Sequence, residues 1–140
     1  MSQPFDLEIF AQAAADAIIA ARADGAIVFW NPAAQRIFGF SAAEALGQSL
    51  DLIIPERFRA RHWDGYRQVM ATGRTKYGTD VLRVPATHKD GRALSIAFTV
   101  SLLDGPEGRI IAAIARDETA RWTEERELRR RIAELEQGAK

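Results

Sequence analysis

Apolar positions set out most of the architecture before any motif is considered. Within residues 5–15, Leu7, Phe10, Ala11 and Ala14 recur at three-to-four spacing, which predicts a short amphipathic helix packed on the outside of a sheet. Two brief apolar runs, 17–21 and 26–30, read as strands closed by Asp24-Gly25, a pair that supplies the positive φ of a tight reversal. Asn31 can cap a helix and Pro32 suits its first position, so 32–38 should be helical and end at Gly39. Ser41 and Glu44 have capping-box spacing, which predicts another short helix ending at Gly47. The longest internal helix spans 55–72. Turning it at about 100° per residue puts Phe58, His62, Trp63, Tyr66, Val69 and Met70 on one arc, with Arg59 the exception, and Arg57, Arg61, Asp64, Arg67 and Gln68 on the other. Gly73 closes it.

The remainder reads as strands 79–87, 93–102 and 109–116, reversed at Asp90-Gly91 and Asp104-Gly105. The middle one alternates bulky Leu94, Ile96, Phe98, Val100 and Leu102 with small Ala93, Ser95, Ala97, Thr99 and Ser101. One face should therefore line a core and the other receive a helix. A charged helix follows over 118–137, with Glu125 and Arg129, Glu127 and Arg131, and Arg130 and Glu134 at i,i+4 spacing. Leu128, Ile132 and Leu135 form an apolar seam of about one heptad, the start of a coiled coil that would pair two copies of the chain.

Composition narrows the function. A chain of 140 residues that is 47% apolar can bury a core of its own. It has no cysteine, which excludes iron-sulfur clusters, zinc ribbons and a cysteinyl-flavin adduct. Lys plus Arg and Asp plus Glu are 19 each, so no net field draws in nucleic acid or an anionic membrane. Without a signal-peptide pattern or a spanning apolar run, the expected location is the cytoplasm. A phosphate loop, a metal-ligand cluster and a nucleophile with a base are all missing from the pattern, so the chain does not read as an enzyme.

In order along the chain, Asp24-Gly25 with Ile27-Val28-Phe29-Trp30-Asn31-Pro32-Ala33-Ala34, then Phe38-Gly39-Phe40-Ser41 to Gly47, His88-Lys89-Asp90-Gly91, and Asp117-Glu118-Thr119 resemble the motifs of the PAS domain over roughly residues 8 to 120. The resemblance implies an α+β fold: a five-stranded antiparallel sheet in the order 2-1-5-4-3, helices over one face, an N-terminal cap helix at 1–16, a core at 17–117 and a signalling helix at 118–140. It also implies an activity, sensing a small ligand, light, redox state or gas and relaying it to a kinase, cyclase or transcription factor, as in two-component and transcriptional regulation. Asp117 and Thr119 match the exit motif, and Trp122 just beyond would pin the exit helix to the sheet or to a partner. Glu44 and Lys89 match an ion pair seen in relatives.

PAS domains share no catalytic residues, so function has to be argued from the pocket. Phe58, His62, Tyr66 and Val69 on the long helix, with Ile96, Phe98, Val100, Ala113 and Ile114 on facing strands, are the candidate lining of a small apolar cleft. The leading expectation is a dimeric sensory module that relays occupancy of this cleft. Arg59-Ala60-Arg61-His62 also resembles the segment bearing the iron ligand in heme-binding oxygen-sensor PAS domains, which makes a heme-based gas or redox sensor an alternative, with His62 as ligand. The position that supplies a basic distal residue in those sensors is Leu82 here, with Arg83 adjacent. A third reading is a constitutive interaction domain whose pocket is plugged by Phe58, Tyr66 and Phe98.

Overall fold

A computed structural model describes residues 4–75 and 79–138. Five antiparallel strands form one sheet in the order β2-β1-β5-β4-β3, with β1 at Ala17–Arg22, β2 at Ile27–Trp30, β3 at Leu82–Thr87, β4 at Ala93–Gly105 and β5 at Gly108–Asp117. Helices α1 (Leu7–Ala13), α2 (Pro32–Phe38), α3 (Ala42–Ala45) and α4 (Arg59–Thr72) precede β3, and α5 (Thr119–Gly138) leaves β5. Two 3-10 turns, Leu50–Ile53 and Glu56–Phe58, lead into α4, so the first turn of the expected long helix is wound more tightly. The expected segment limits of 1–16 and 118–140 begin and end on residues outside those described.

Register explains which side is core. Ile19 pairs with Trp30 and with Ala113, and Phe98 pairs with Ala115, so Ala17, Ile19, Ala113, Ala115, Ile96, Phe98 and Val100 share the face that carries the helices. The sealed core lies at one end of this face, where Ile19, Ile27, Trp30, Phe38, Leu94, Ile96 and Ala115 pack together. Asn31 is the buried polar centre of this end, 1% exposed. Its Oδ1 accepts from the amides of Ile18 and Ala34, and its Nδ2 donates to the carbonyls of Ala11 and Asp16, so all four hydrogen-bonding positions are used.

The other capping signals form as the pattern predicts. Gly39 ends α2 with φ +87°, and Ser41 and Glu44 exchange both capping-box bonds. Three local expectations are corrected. The last reversal is at Pro106-Glu107, with Gly105 paired to Gly108, because proline presets the φ of the first turn position and lets β4 run on through Asp104. Helix α1 neighbours α2, not the sheet's outer face, and buries none of its own residues; Leu7 and Phe10 stay exposed. On α5 the Arg130–Glu134 pair forms, but the expected Glu125–Arg129 and Glu127–Arg131 pairs are replaced by Arg121 with Glu125 and Glu118 and by Arg130 with Glu127.

Candidate ligand cleft and exit junction

Helix α4 bridges one end of the sheet. The Tyr66 hydroxyl donates to the carbonyl of Arg22 at the end of β1, and the Arg109 guanidinium at the start of β5 donates to the carbonyl of Met70. The Trp63 indole lies against Gly25 in the β1–β2 turn, where φ is +87° and a Cβ would fall 2.2 Å from the ring. Trp63 Nε1 donates to Asp51 at 2.7 Å, tying the preceding 3-10 turn to the helix. Arg59, the polar exception on the apolar arc, is used locally: its guanidinium donates to the carbonyls of Ile54 and Asp51.

Between these end ties the inner sheet face is not sealed. Phe98, Val100 and Ala113 are only half-buried, unlike Ile96 and Ala115 on the same face. On the helical layer, Phe58 at the end of the second 3-10 turn and His62 and Val69 on α4 are half-buried, and Tyr66 is buried. Eight of the nine expected lining residues are thus buried or half-buried. Ile114 is the exception and a correction: strand alternation puts it on the outer face beside Ala113, and it is 52% exposed.

His62 is a half-buried imidazole on the inward arc of α4. Its ring stands edge-on to Trp63 at 4.6 Å and lies 5.6 Å from Tyr66. Nδ1 is the one buried side-chain nitrogen or oxygen without a hydrogen-bond partner among the described residues; Nε2 is not sealed off in this way. Burial lowers the imidazole pKa below 6.5, opposed by the nearby Asp51 carboxylate, so the ring is neutral near pH 7. The Tyr66 phenol is pushed well above its ordinary value, first by burial and then by Asp24, and stays protonated. With its proton on the Arg22 carbonyl, it acts as a strut.

These residues do not fit a heme held in the expected way. An imidazole that binds iron through Nε2 carries its proton on Nδ1 and donates it to a carbonyl or carboxylate. Here that proton would be buried with no acceptor, a penalty of about 1–3 kcal/mol. The expected distal position is also apolar. Leu82 faces inward opposite Phe98, while Arg83 alternates to the outer face and pairs with Glu118 at 3.3 Å.

The second built feature is the exit from β5 into α5. Asp117 Oδ1 accepts from Thr119 N at 2.9 Å and from Thr119 Oγ1 at 2.5 Å. Thr119 Oγ1 in turn accepts from Ser95 N at 2.9 Å, and Glu118 N donates to the Ser95 carbonyl at 2.8 Å. The first turn of α5 is thus pinned to β4 one residue before Ile96. Trp122 stands over the same junction, lining a groove of about 160 Å³ with Arg83, Ser95, Glu118, Arg121 and Glu125. The remainder of α5 has no buried residue; Leu128, Ile132 and Leu135 are 54%, 55% and 74% exposed. Sequence reading identified Asp117, Thr119 and Trp122 but missed Ser95 and Arg83, whose link to the junction spans 24 and 35 residues. At the same end of the sheet, next to Asp117, Arg116 grips Asp16 with two 3.0 Å bonds, another long-range pair without a spacing signal.

The chain belongs to the PAS family: the PAS fold model matches residues 6–117. PAS domains are sensory modules. Among curated proteins it is 34% identical over 116 residues to an uncharacterized protein of Azorhizobium caulinodans, covering 82% of this chain and 16% of that one. It is 28% identical to the sensor protein FixL of Bradyrhizobium diazoefficiens, covering 86% of this chain and 23% of FixL. It is 25% identical to the oxygen sensor protein DosP of Escherichia coli, covering 76% and 13%. The chain therefore spans less than a quarter of the length of these relatives. A PAS domain structure from Colwellia psychrerythraea superposes with a TM-score of 0.69 at 20% identity, covering 81% of this chain and 95% of that one. Among the described residues no helix is long and apolar enough to cross a membrane.

Proposed function

We propose that this chain is a sensory and dimerisation module that works in the cytosol. It converts occupancy of the cleft beneath α4 into a change in the position of α5, and so regulates an attached output domain such as a kinase, cyclase or transcription factor. The observation that carries this reading is the unequal support of α5. Its first turn is hydrogen-bonded to Ser95 on β4, while the helix runs on for 20 residues with none of them buried. A helix of this kind follows any movement of β4 and β5 as a lever.

Relaying requires two states that bind the ligand differently. Half-buried Phe98, Val100 and Ala113 can gain burial when a ligand fills the cleft, and Val100 and Ala113 are paired across β4 and β5, the strands that end at the junction. Leu128, Ile132 and Leu135 are the seam through which α5 meets the same helix of a second copy. The test is output of the full-length protein carrying Asp117→Ala or Thr119→Ala. Both should uncouple output from stimulus while circular dichroism shows an intact fold; unchanged coupling in both variants would overturn the proposal.

A further inference from the structure

We infer that α1 is a second input to the exit helix, coupled to α5 by a clamp between Asp16 and Arg116 that does not involve the cleft. This goes beyond the cleft reading and shares with it only α5 as the element that moves.

The chain enters and leaves the sheet at adjacent points. Ala17, the first residue of β1, pairs with Ala115 of β5, so the segment arriving from α1 and the segment departing for α5 are neighbours. Asp16 and Arg116, each one residue further out, join them. Arg116 donates from Nε to Oδ1 and from Nη2 to Oδ2, each at 3.0 Å, a two-bonded geometry that fixes orientation as well as distance. Asp16 is also held from the α1 side: Asn31 Nδ2 donates to the Asp16 carbonyl at 3.1 Å and to the Ala11 carbonyl, in the last turn of α1, at 2.9 Å. On the α5 side, Arg116 is followed directly by Asp117, whose Oδ1 accepts from the Thr119 amide at 2.9 Å. A continuous series of bonds therefore runs from α1 through Asn31, Asp16 and Arg116 to the first turn of α5.

Stability is not what this clamp supplies. Arg116 is mostly exposed, and a pair of that kind adds little to the folding free energy. Ala17 and Ala115 belong to the sealed core, which keeps the two strands together with or without it. The clamp instead transmits position: α1 buries none of its own residues, so it can shift at small cost, and the shift reaches Asp16 through Asn31. A double-mutant cycle read by native-state hydrogen exchange on the whole chain tests this with the cleft untouched. Gln12→Pro breaks the last turn of α1 at an exposed position, and Arg116→Gln removes the clamp. With Arg116 in place, Gln12→Pro should lower protection of the Ser95 and Glu118 amides roughly three- to tenfold, the reach of one partly exposed charged pair. With Arg116→Gln, the same change in α1 should leave both amides within about twofold. Should Gln12→Pro fail to fold, Asp6→Ala, which removes the exposed N-cap of α1, is read in the same way. An equal effect of the α1 variant in both backgrounds, or no effect on either amide with Arg116 present, would overturn the clamp. The cleft relay is read separately, from output in the Asp117 and Thr119 variants, so the two proposals fail independently.

Discussion

Removing one hydroxyl at the exit junction should loosen α5 without loosening the sheet. Thr119 Oγ1 takes part in two bonds, accepting from Ser95 N at 2.9 Å and donating to Asp117 at 2.5 Å. A neutral N–H···O bond is worth roughly 1 kcal/mol, and one to a carboxylate roughly 1.5–3 kcal/mol. The Asp117 bond is exposed and is discounted to the lower end or below, while the half-buried Ser95 amide loses its acceptor. Thr119→Ala should therefore cost about 2 kcal/mol, nearly all of it local. That corresponds to about a 30-fold rise in the opening equilibrium of the first α5 turn. Native-state hydrogen exchange should report it as roughly a 10- to 50-fold loss of protection at the amides of Ser95 and Glu118. Core amides such as Ile19 should stay unchanged, and Thr119→Ser should behave as wild type. Less than about a threefold change at both junction amides would refute the reasoning, since either bond alone should exceed it.

Two further perturbations probe the contacts that hold α4 to the β1–β2 turn and α3 to the β3–β4 turn. Gly25→Ala places a methyl 2.2 Å from the Trp63 ring at φ +87°, combining a left-handed penalty of roughly 1–2 kcal/mol with overpacking of roughly 1–3 kcal/mol. Urea unfolding should show a loss of about 2–4 kcal/mol, and a loss under about 1 kcal/mol would mean that the turn and indole are not packed as described. Glu44 is held down to about 2 by its hydrogen bond to Lys89 Nζ, 2.5 Å away, and by the Ser41 amide. Its folded value lies below the unfolded value of 4.5, so its contribution is complete above pH 4.5 and is lost as pH falls towards 2. Glu44→Gln should flatten the pH dependence of the urea midpoint across that window; identical slopes in variant and wild type would contradict the assignment.

Local rules account for what was legible in the sequence. Helix caps at Asn31 and Ser41, the positive-φ turns at Gly25 and Gly91, and the alternation of β4 depend on neighbours a few residues apart, and all are present. The inward arc of α4 was readable for the same reason. Arg59 looked anomalous because its acceptors, Ile54 and Asp51, belong to a 3-10 turn that periodicity does not reveal. Ile114 was misplaced because Ala113 and Ile114 are both apolar, and only pairing with Val100 and Ile19 shows which of them faces the helices. The Ser95–Thr119, Arg83–Glu118 and Asp16–Arg116 links were invisible because they join distant segments. The sequence could identify the residues of the exit motif but not what they grip.

Filling the cleft without any ligand tests the central claim most directly. Ala113→Phe adds a ring on the half-buried wall, and since the chain contains no cysteine, spin labels can be confined to Arg92→Cys in the β3–β4 turn and Arg129→Cys on α5. Measured by pulsed dipolar spectroscopy with the labelled chain diluted in unlabelled protein, the intrachain distance distribution should shift when the cleft is filled. If the distributions with Ala113 and with Ala113→Phe superimpose while both proteins stay folded, the cleft does not move α5 and the relay is refuted.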